Sequence, residues 1–590
     1  MVFSASRIEQ PIHRIGSSVA VLSSDELRER GVEFVADALL EVPSLIVSSQ
    51  GPRGSMTQVR VRGNEANHAL ILIDGMRVSN ASTGEYDLAN MNLESVEKIE
   101  VLLGPQSTLY GSDAIAGVIS ITTRKGHEGF EGLVRVGIGS QKTRSGSAQI
   151  RGGQQGWHYS LTTSKYLTDG ISAASEANGN FEKDDYQSKS LNIKAGYDQD
   201  SFQTWLVFNQ TDSRYDFDSD DFVSGLAVDE ESNRQWGNTR SLALVMAVPL
   251  FDGRMTNQLQ LSKIENDLEL YTVFFGSGST YETKTDRNAI EYQGSFKLNE
   301  ANSLQFGAER FEEDLLATSY SVFNRSVEQK GAYLQWLTAV GDLDLSLGSR
   351  WDKHDTFGTQ NTYRLTASYP VNDRFRLRAS HSTGFKAPSL QELYDTSFGG
   401  NPELNPEEST SSELGLEYRS DDYHASLTLF TQDTDNLIRY AGVYPTGINQ
   451  NVDSAESKGA ELAFGLSRDE FQLDAALSRV KATETKDGIT LERIRVPKWS
   501  GHLLASYYLT SGRVWAQALY RGERRDVNFS TSEDVRLKGY WLINLGASHE
   551  LADNLTLSGR IENLADKQYE EIYSYGTRGR TGMLTLDWRF

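Results

Sequence analysis

The side chains whose type and spacing could do chemistry are carboxylates. In Y-D-F-D-S-D-D-F at 215–222, Asp216, Asp218 and Asp220 alternate at the spacing of a Ca²⁺ loop, and hard carboxylate oxygens are what that cation takes. The segment is not an EF-hand, because Asp221 stands where that loop has Gly and Ala227 where it has Glu. Other chemistries lack their residues. None of the 590 residues is Cys, which removes disulfides, thiolate nucleophiles and cysteine metal sites. The nine His are scattered, and there is no Walker A loop, dinucleotide-type Gly-x-Gly-x-x-Gly or nucleophile elbow. An enzyme is therefore not expected. A formal charge of -23 argues against nucleic acid, which needs a basic face, and fits long acidic loops.

The elements that must position these loops are legible at the end of the chain. In T-G-M-L-T-L-D-W-R-F at 581–590, Gly582, Leu584, Leu586, Trp588 and Phe590 share one side of a period-two pattern, against Thr585, Asp587 and Arg589. In solution such an edge strand invites aggregation; in a closed membrane barrel the edge is paired and the apolar face meets lipid. Apolar content is 38% and mean hydropathy -0.48. The longest nearly unbroken apolar run, at 242–251, contains Pro249, so no transmembrane helix is encoded. A barrel passes this test because only alternate residues touch lipid.

From about Lys125 onward, short alternating runs are joined by tight turns, as at Asp252-Gly253-Arg254, Val371-Asn372-Asp373-Arg374 and Ala552-Asp553-Asn554. Residues 181–185, 216–231 and 394–408 belong to longer connections. At about 20 residues per strand with its share of connections, this length gives about 22 strands, and a barrel that wide is normally plugged. The expected fold is an all-β transmembrane barrel of about 22 antiparallel strands with an N-terminal α/β plug in its lumen. The plug is expected to carry a capping box at Ser23…Glu26 with a helix behind it, and another helical stretch at 34–40 before Pro43. Strands are expected at 58–62 and 69–73, the second closed by the turn pair Asp74-Gly75, and at 96–102 and 117–123. The chain opens M-V-F-S-A-S-R with no apolar signal core, and is expected to be the exported form.

V-R-V-R-G at 59–63, A-L-I-L-I-D-G-M-R-V at 69–78, and V-E-K-I-E-V-L-L-G-P-Q-S-T-L-Y-G-S-D-A-I-A-G-V-I-S-I-T-T at 96–123 resemble the plug of TonB-dependent outer-membrane transporters. F-K-A-P-S at 385–389, N-P-E-L-N-P-E at 401–407 and N-L-A-D-K-Q-Y at 563–569 resemble that family's barrel landmarks. Within the family, A-S-R-I-E-Q-P at 5–11, L-Y-G-S-D-A-I at 109–115 and Y-S-Y-G-T-R-G-R at 573–580 are most similar to the cobalamin (vitamin B12) receptors. The chain departs from the family's pattern at Leu103, where a plug Arg is usual, at Ala116, where Gly is common, and at Ser172, where an Asp is expected.

The resemblance implies a partial TonB-box-like segment at 1–6, a plug at 7–126 and a barrel at 127–590. It implies uptake of a scarce, bulky nutrient across the bacterial outer membrane, energised by TonB and its inner-membrane complex acting on the plug. Val2, Phe3, Ser4 and Ala5 match the end of the TonB-box pattern, and adding such an extended segment to a partner's sheet bears load through backbone hydrogen bonds. Solute contacts are expected from the apical plug loops, at Arg53, Ser55, Met56 and Thr57 and at Asn80, Ser82, Glu85 and Tyr86, and from barrel aromatics such as Tyr271, with Phe217, Phe222, Phe274 and Phe275 beside it. By the cobalamin-receptor pattern, Glu182, Asp184, Tyr215, Asp216 and Asp229 fall on positions that hold structural Ca²⁺ in the extracellular loops, and Arg62 remains as the plug cation facing barrel carboxylates. Cobalamin ranks first as solute. A ferric siderophore is the alternative, and a passive adhesin or phage-attachment barrel is the alternative of another class. Haem is disfavoured because no His lies between Pro388 and Asn401. Outer-membrane lipid and lipopolysaccharide, and a phage or colicin, complete the implied partners.

Overall fold

The computed structural model describes residues 1–590 apart from 1, 3, 222, 275–276, 319–321, 443–445 and 487, together with the side chains of 274 and 453. Apolar runs in the first 126 residues become strands buried on both faces. In Ala69–Ile73, Leu70 and Leu72 pack with Leu102, Leu109 and Val118, while Ile71 and Ile73 pack on the opposite side with Ile99, Val101, Ile119 and Ile121. Burial on both faces explains the continuous rather than alternating hydrophobicity. These strands form one five-stranded mixed sheet in the order Val19–Ser23, Val96–Leu103, Gly117–Thr123, Ala69–Ile73, Met76–Arg77, in which only Ala69–Ile73 and Gly117–Thr123 run parallel. The hairpin between Ala69–Ile73 and Met76–Arg77 turns on Asp74 and Gly75, both at positive φ (48° and 84°), as a two-residue primed turn requires. A second hairpin pairs Leu45–Ser49 with Thr57–Val61.

Helices Ser24–Glu29 and Val35–Leu39 follow the predicted positions, but the first is not capped as expected. Ser23 is the N-cap residue and makes no side-chain cap bond; the neighbouring Ser24 hydroxyl instead donates to Val96 O (2.5 Å), tying the helix to the sheet. A complete capping box forms elsewhere, between Ser389 and Glu392 at the start of helix Leu390–Tyr394.

Around this plug closes a barrel of 22 antiparallel strands, from Gly129–Gly139 to Thr581–Arg589. At the seam Met583 pairs with Gly139 and Arg589 with Leu133, and Phe590 exchanges backbone hydrogen bonds with Gly132. The terminal alternation is as expected: Leu584, Trp588 and Phe590 are exposed outward, and Thr585 and Asp587 are buried. One end of the barrel carries tight turns, such as 200–201, 300–301 and 553–554; the other carries connections such as 169–185, 217–233, 387–406, 522–539 and 563–580. That asymmetry puts the long loops outside the cell. No helix among the described residues is long and apolar enough to cross a membrane; the strands cross it.

Candidate functional site

Three long loops converge at the outer mouth. A β-bridge joins Ala174 to Tyr575, and Ala173, Ala174, Ala227, Ile572 and Tyr575 form one buried apolar cluster, fastening loops 169–185, 217–233 and 563–580 together. Beside that cluster, one carboxylate oxygen from each of Glu182, Asp184 and Asp218 lies within 4.8 Å of the others. Backbone amides hold them: Ala173 N–H donates to Asp184 (2.5 Å), Ala174 N–H to Asp218 (2.6 Å), and Glu230 N–H to both Glu182 and Asp218 (2.9 Å each). Two full charges at that separation repel by about 3 kcal/mol at an effective dielectric constant of 20. Burial, then Asp218, accordingly pushes both Glu182 and Asp184 well above the ordinary carboxylate range. Oε2 of Glu182 is buried with no hydrogen-bond partner among the described residues. Three converging carboxylates, one of them with an unsatisfied oxygen, fit Ca²⁺.

The set differs from the sequence expectation. Asp218, visible in the spacing of its loop, replaces Asp216, which is neutralised by Arg214 (3.2 Å) and Arg234. Tyr215 is buried among Phe34, Tyr166 and Tyr186, with Phe217 against them. Asp229 stands one bond away: its carboxylate accepts from Ser172 Oγ (2.8 Å) and Phe181 N–H (2.9 Å). Ser172 also lies 3.2 Å from Asp218, so a hydroxyl bridges two carboxylates where the family's pattern has a further acid.

The two apical plug loops are joined to each other, which leaves few of their side chains free. Thr57 N–H donates to Asp87 (2.9 Å) and Gln58 to Glu85 (2.9 Å), joining the two loops. Arg53 turns back into the plug, pairing with Asp37 (3.0 Å) and lying 4.4 Å over the Phe34 ring, so it is not offered to a solute. Ser55, Thr57 and Ser82 are buried, Ser82 beneath the helix of loop 387–406, whose Gln391 N–H donates to Ser82 O (3.1 Å). Met56 is exposed, and Asn80, Glu85 and Tyr86 are half-buried at the mouth. Tyr271 is displaced from the expected role by strand parity. It shares the outward face with Leu261, while Asn266 and Thr272 take the lumenal positions. Phe222 and Phe275 lie outside the described residues, as does the Phe274 side chain.

Below the mouth, ion pairs bind plug to wall. Arg62, 1% exposed, bonds Glu461 (2.8 Å) and Glu413 (2.8 Å) and lies over Phe430. Leu103 packs into the plug core, and its N–H donates to Ser18 O; Ser18 in turn donates to Glu413. The second cation on Glu413 comes from the wall itself, as Arg378. Sequence reasoning missed Arg378 because nothing local marks a strand arginine that turns inward. Ala116 is buried and is not among the positive-φ residues, so its Cβ is tolerated. Further pairs join His68 to Glu407 (2.5 Å), Asp74 to Lys194 (2.8 Å) and Glu65 to Arg439 and Arg493. At the N-terminus Val2, Ser4 and Ala5 are buried: Val2 pairs with Gln10, Ser4 N–H donates to Glu100 (2.9 Å) and Tyr110 O–H to Ser4 O (2.8 Å). Phe3 lies outside the described residues.

A plugged 22-strand barrel with a loop-built outer mouth defines an outer-membrane receptor, not an enzyme. The family profile described as TonB dependent receptor-like, beta-barrel matches residues 132–564, and that of the TonB-dependent Receptor Plug Domain matches 11–118; the chain belongs to the TonB-dependent receptors. Among curated relatives, the vitamin B12 transporter BtuB of Photobacterium profundum is 29% identical, the match covering 100% of this chain and 95% of the relative; that of Vibrio cholerae is 25% identical over the same shares. The solved siderophore receptor PirA of Acinetobacter baumannii superposes with a TM-score of 0.83 at 19% identity, covering 97% of this chain and 98% of its own. The FpvAI–pyocin S2 complex gives a TM-score of 0.85 at 17% identity, covering 100% and 86%. These last two likenesses carry the fold alone.

Proposed function

We propose that this receptor takes up cobalamin across the outer membrane, with TonB supplying the work through the N-terminal segment, and that Ca²⁺ held by Glu182, Asp184 and Asp218 orders the outer loops around the solute. The observation that carries the reading is the acid cluster at the meeting of loops 169–185 and 217–233, in a chain whose full length matches vitamin B12 transporters. The carboxylates cannot all be charged at this spacing without a counter-ion. The cation, when bound, supplies that charge, and the backbone amides of Ala173, Ala174 and Glu230 then hold both loops in one arrangement. A large solute carrying little net charge is not repelled by the acidic mouth, whereas an anionic siderophore is. Burial of Val2, Ser4 and Ala5 keeps the segment docked until a partner draws it out as an extended strand.

Calorimetry of cyanocobalamin with the detergent-solubilised protein, with Ca²⁺ and again with EGTA, tests both parts. Tight binding that weakens in EGTA is the expected result. Binding indifferent to EGTA removes the Ca²⁺ assignment alone, and no binding in either condition removes cobalamin.

A further inference from the structure

Between the plug and one sector of the wall lies a cavity of about 150 Å³, beneath the mouth loops, with a lining that runs from Gly51, Pro52 and Thr577 down to Trp515. A void of that size accepts a group about as large as benzene. Most of the charged side chains on its lining cancel in pairs: Arg30 with Glu41, Arg53 with Asp37, and Glu562 with both Arg560 and Arg578. Two are left over. Arg521 and Glu571 also line the cavity, and neither forms an ion pair with any described residue. Arg521, 6% exposed, donates to the backbone carbonyls of Tyr520 (3.1 Å) and Leu40 (3.4 Å), and a guanidinium has more donors than those two bonds use. Glu571 accepts from Ser49 N–H (2.8 Å). Burial pushes its carboxyl above the ordinary range in spite of Arg524, Arg521 and Arg578 nearby, so it is short of donors.

The two groups carry opposite charge and do not meet, and that sets the chemistry of an occupant. An anion answers Arg521 and is repelled by Glu571; a cation does the reverse. A primary carboxamide answers both with no net charge, its carbonyl oxygen accepting from the guanidinium and its N–H₂ donating to the carboxylate. Such charge-assisted bonds are about twice as strong as neutral ones. The rings of Tyr540 and Tyr569, 4.3 Å apart on the same lining, give a methylene stem an apolar wall to lie against.

We propose that this cavity receives one carboxamide side arm of the solute, held at its tip by Arg521 and Glu571. The inference rests on the cobalamin reading, because cobalamin carries propionamide arms around its ring. It adds the place one of those arms enters and the reason an amide is accepted there and an acid is not. None of the acid-cluster residues Glu182, Asp184 and Asp218 lines the cavity, so the two sites act separately.

Calorimetry in Ca²⁺ compares cyanocobalamin with its monocarboxylic acids, in each of which a single propionamide is hydrolysed, on the detergent-solubilised parent and on Glu571→Gln and Arg521→Gln. In the parent one isomer should bind about tenfold or more weakly than cyanocobalamin, since it loses a charge-assisted hydrogen bond and sets two carboxylates together. The other isomers should bind nearly as cyanocobalamin does. Glu571→Gln, whose amide donates to that acid, should erase or invert the penalty for that isomer alone. Arg521→Gln should weaken cyanocobalamin about tenfold. Arg521 also holds the end of the plug helix through Leu40 O, so the isomer selectivity read in Glu571→Gln decides, and it stands alone if the Arg521 variant fails to assemble. Isomers bound alike by the parent, or a penalty that Glu571→Gln leaves unchanged, overturns the cavity as an amide site with cobalamin binding intact. No binding of cyanocobalamin by the parent overturns the cobalamin reading and this site with it.

Discussion

Replacing Arg62 by Met removes the one plug cation from the buried cluster formed with Glu413 and Glu461. The two carboxylates are not left in the same state. Glu461 receives its ion-pair bonds from Arg62 alone among the described residues, whereas Glu413 keeps Arg378 and the Ser18 hydroxyl. Breaking a buried pair by deleting one partner costs about 3–5 kcal/mol, most of it the uncompensated charge left behind. Almost all of that charge should sit on Glu461. At 1.4 kcal/mol per factor of ten, the low end corresponds to about two decades in the opening equilibrium of the plug segments at the node. Hydrogen exchange with mass-spectrometric readout of Thr57–Val61 and Val96–Leu103 is the assay. Arg62→Met should speed exchange there by about a hundredfold. Adding Glu461→Gln should recover most of the loss by removing the orphan charge, while adding Glu413→Gln should recover little. If the two second-site changes rescue equally, the division of the cluster between Arg62 and Arg378 is wrong; if Arg62→Met leaves exchange unchanged, the node does not hold the plug.

Four further outcomes follow from the same geometry. Asp218→Asn should weaken Ca²⁺ binding at least as much as Asp229→Asn, and Asp216→Asn should weaken it least, as read by calorimetry on the three variants. Protons compete for the cluster, because burial and Asp218 push Glu182 up to about 9 and Asp184 up to about 8. Both pKa values are raised, so without cation the ordered loops are favoured below the ordinary carboxylate range and lose that support as pH rises through those values; Ca²⁺ affinity should run the other way, increasing from about pH 6 to about pH 9. Deleting residues 2–5 should abolish TonB-dependent uptake into cells while cyanocobalamin binding by the purified protein is kept. Leu103→Arg should destabilise the plug by about 1–3 kcal/mol, seen as faster exchange in Val96–Leu103, because it overfills an apolar core position beside a Glu413 that already has two arginines.

The sequence carried the architecture wherever one face of an element decided its pattern. The alternation of Leu584 and Trp588 against Thr585 and Asp587 was visible in ten residues, and the primed turn at Asp74-Gly75 in two, because each depends on its neighbours along the chain. Strand Leu45–Ser49 was not anticipated, since its hairpin partner rather than its own pattern makes it a strand. The Ser23 capping box failed because Ser24, one residue on, found a sheet carbonyl. At the mouth, the loops that meet were identified but not the oxygens that converge. Asp216 and Asp218 are two positions apart with identical chemistry, and only the arginines at 214 and 234 decide which is left to bind. Tyr271 was lost to parity, which a strand of that length fixes only once its register is known.

The seam of the barrel gives the plug a second role. Where the first and last barrel strands meet, Arg135 grips Asp587 through two bonds of 2.6 Å, and Glu94 of the plug reaches Arg135 (3.5 Å) and Ser147 (2.9 Å) from inside. The clasp thus has three parts, one of them belonging to the domain it encloses. The strands that meet here lie at opposite ends of the barrel sequence, the longest closure in the chain, and the plug's carboxylate joins the ion pair that fastens them. The plug is thus a rivet as well as a stopper, holding from inside the seam of the ring that encloses it.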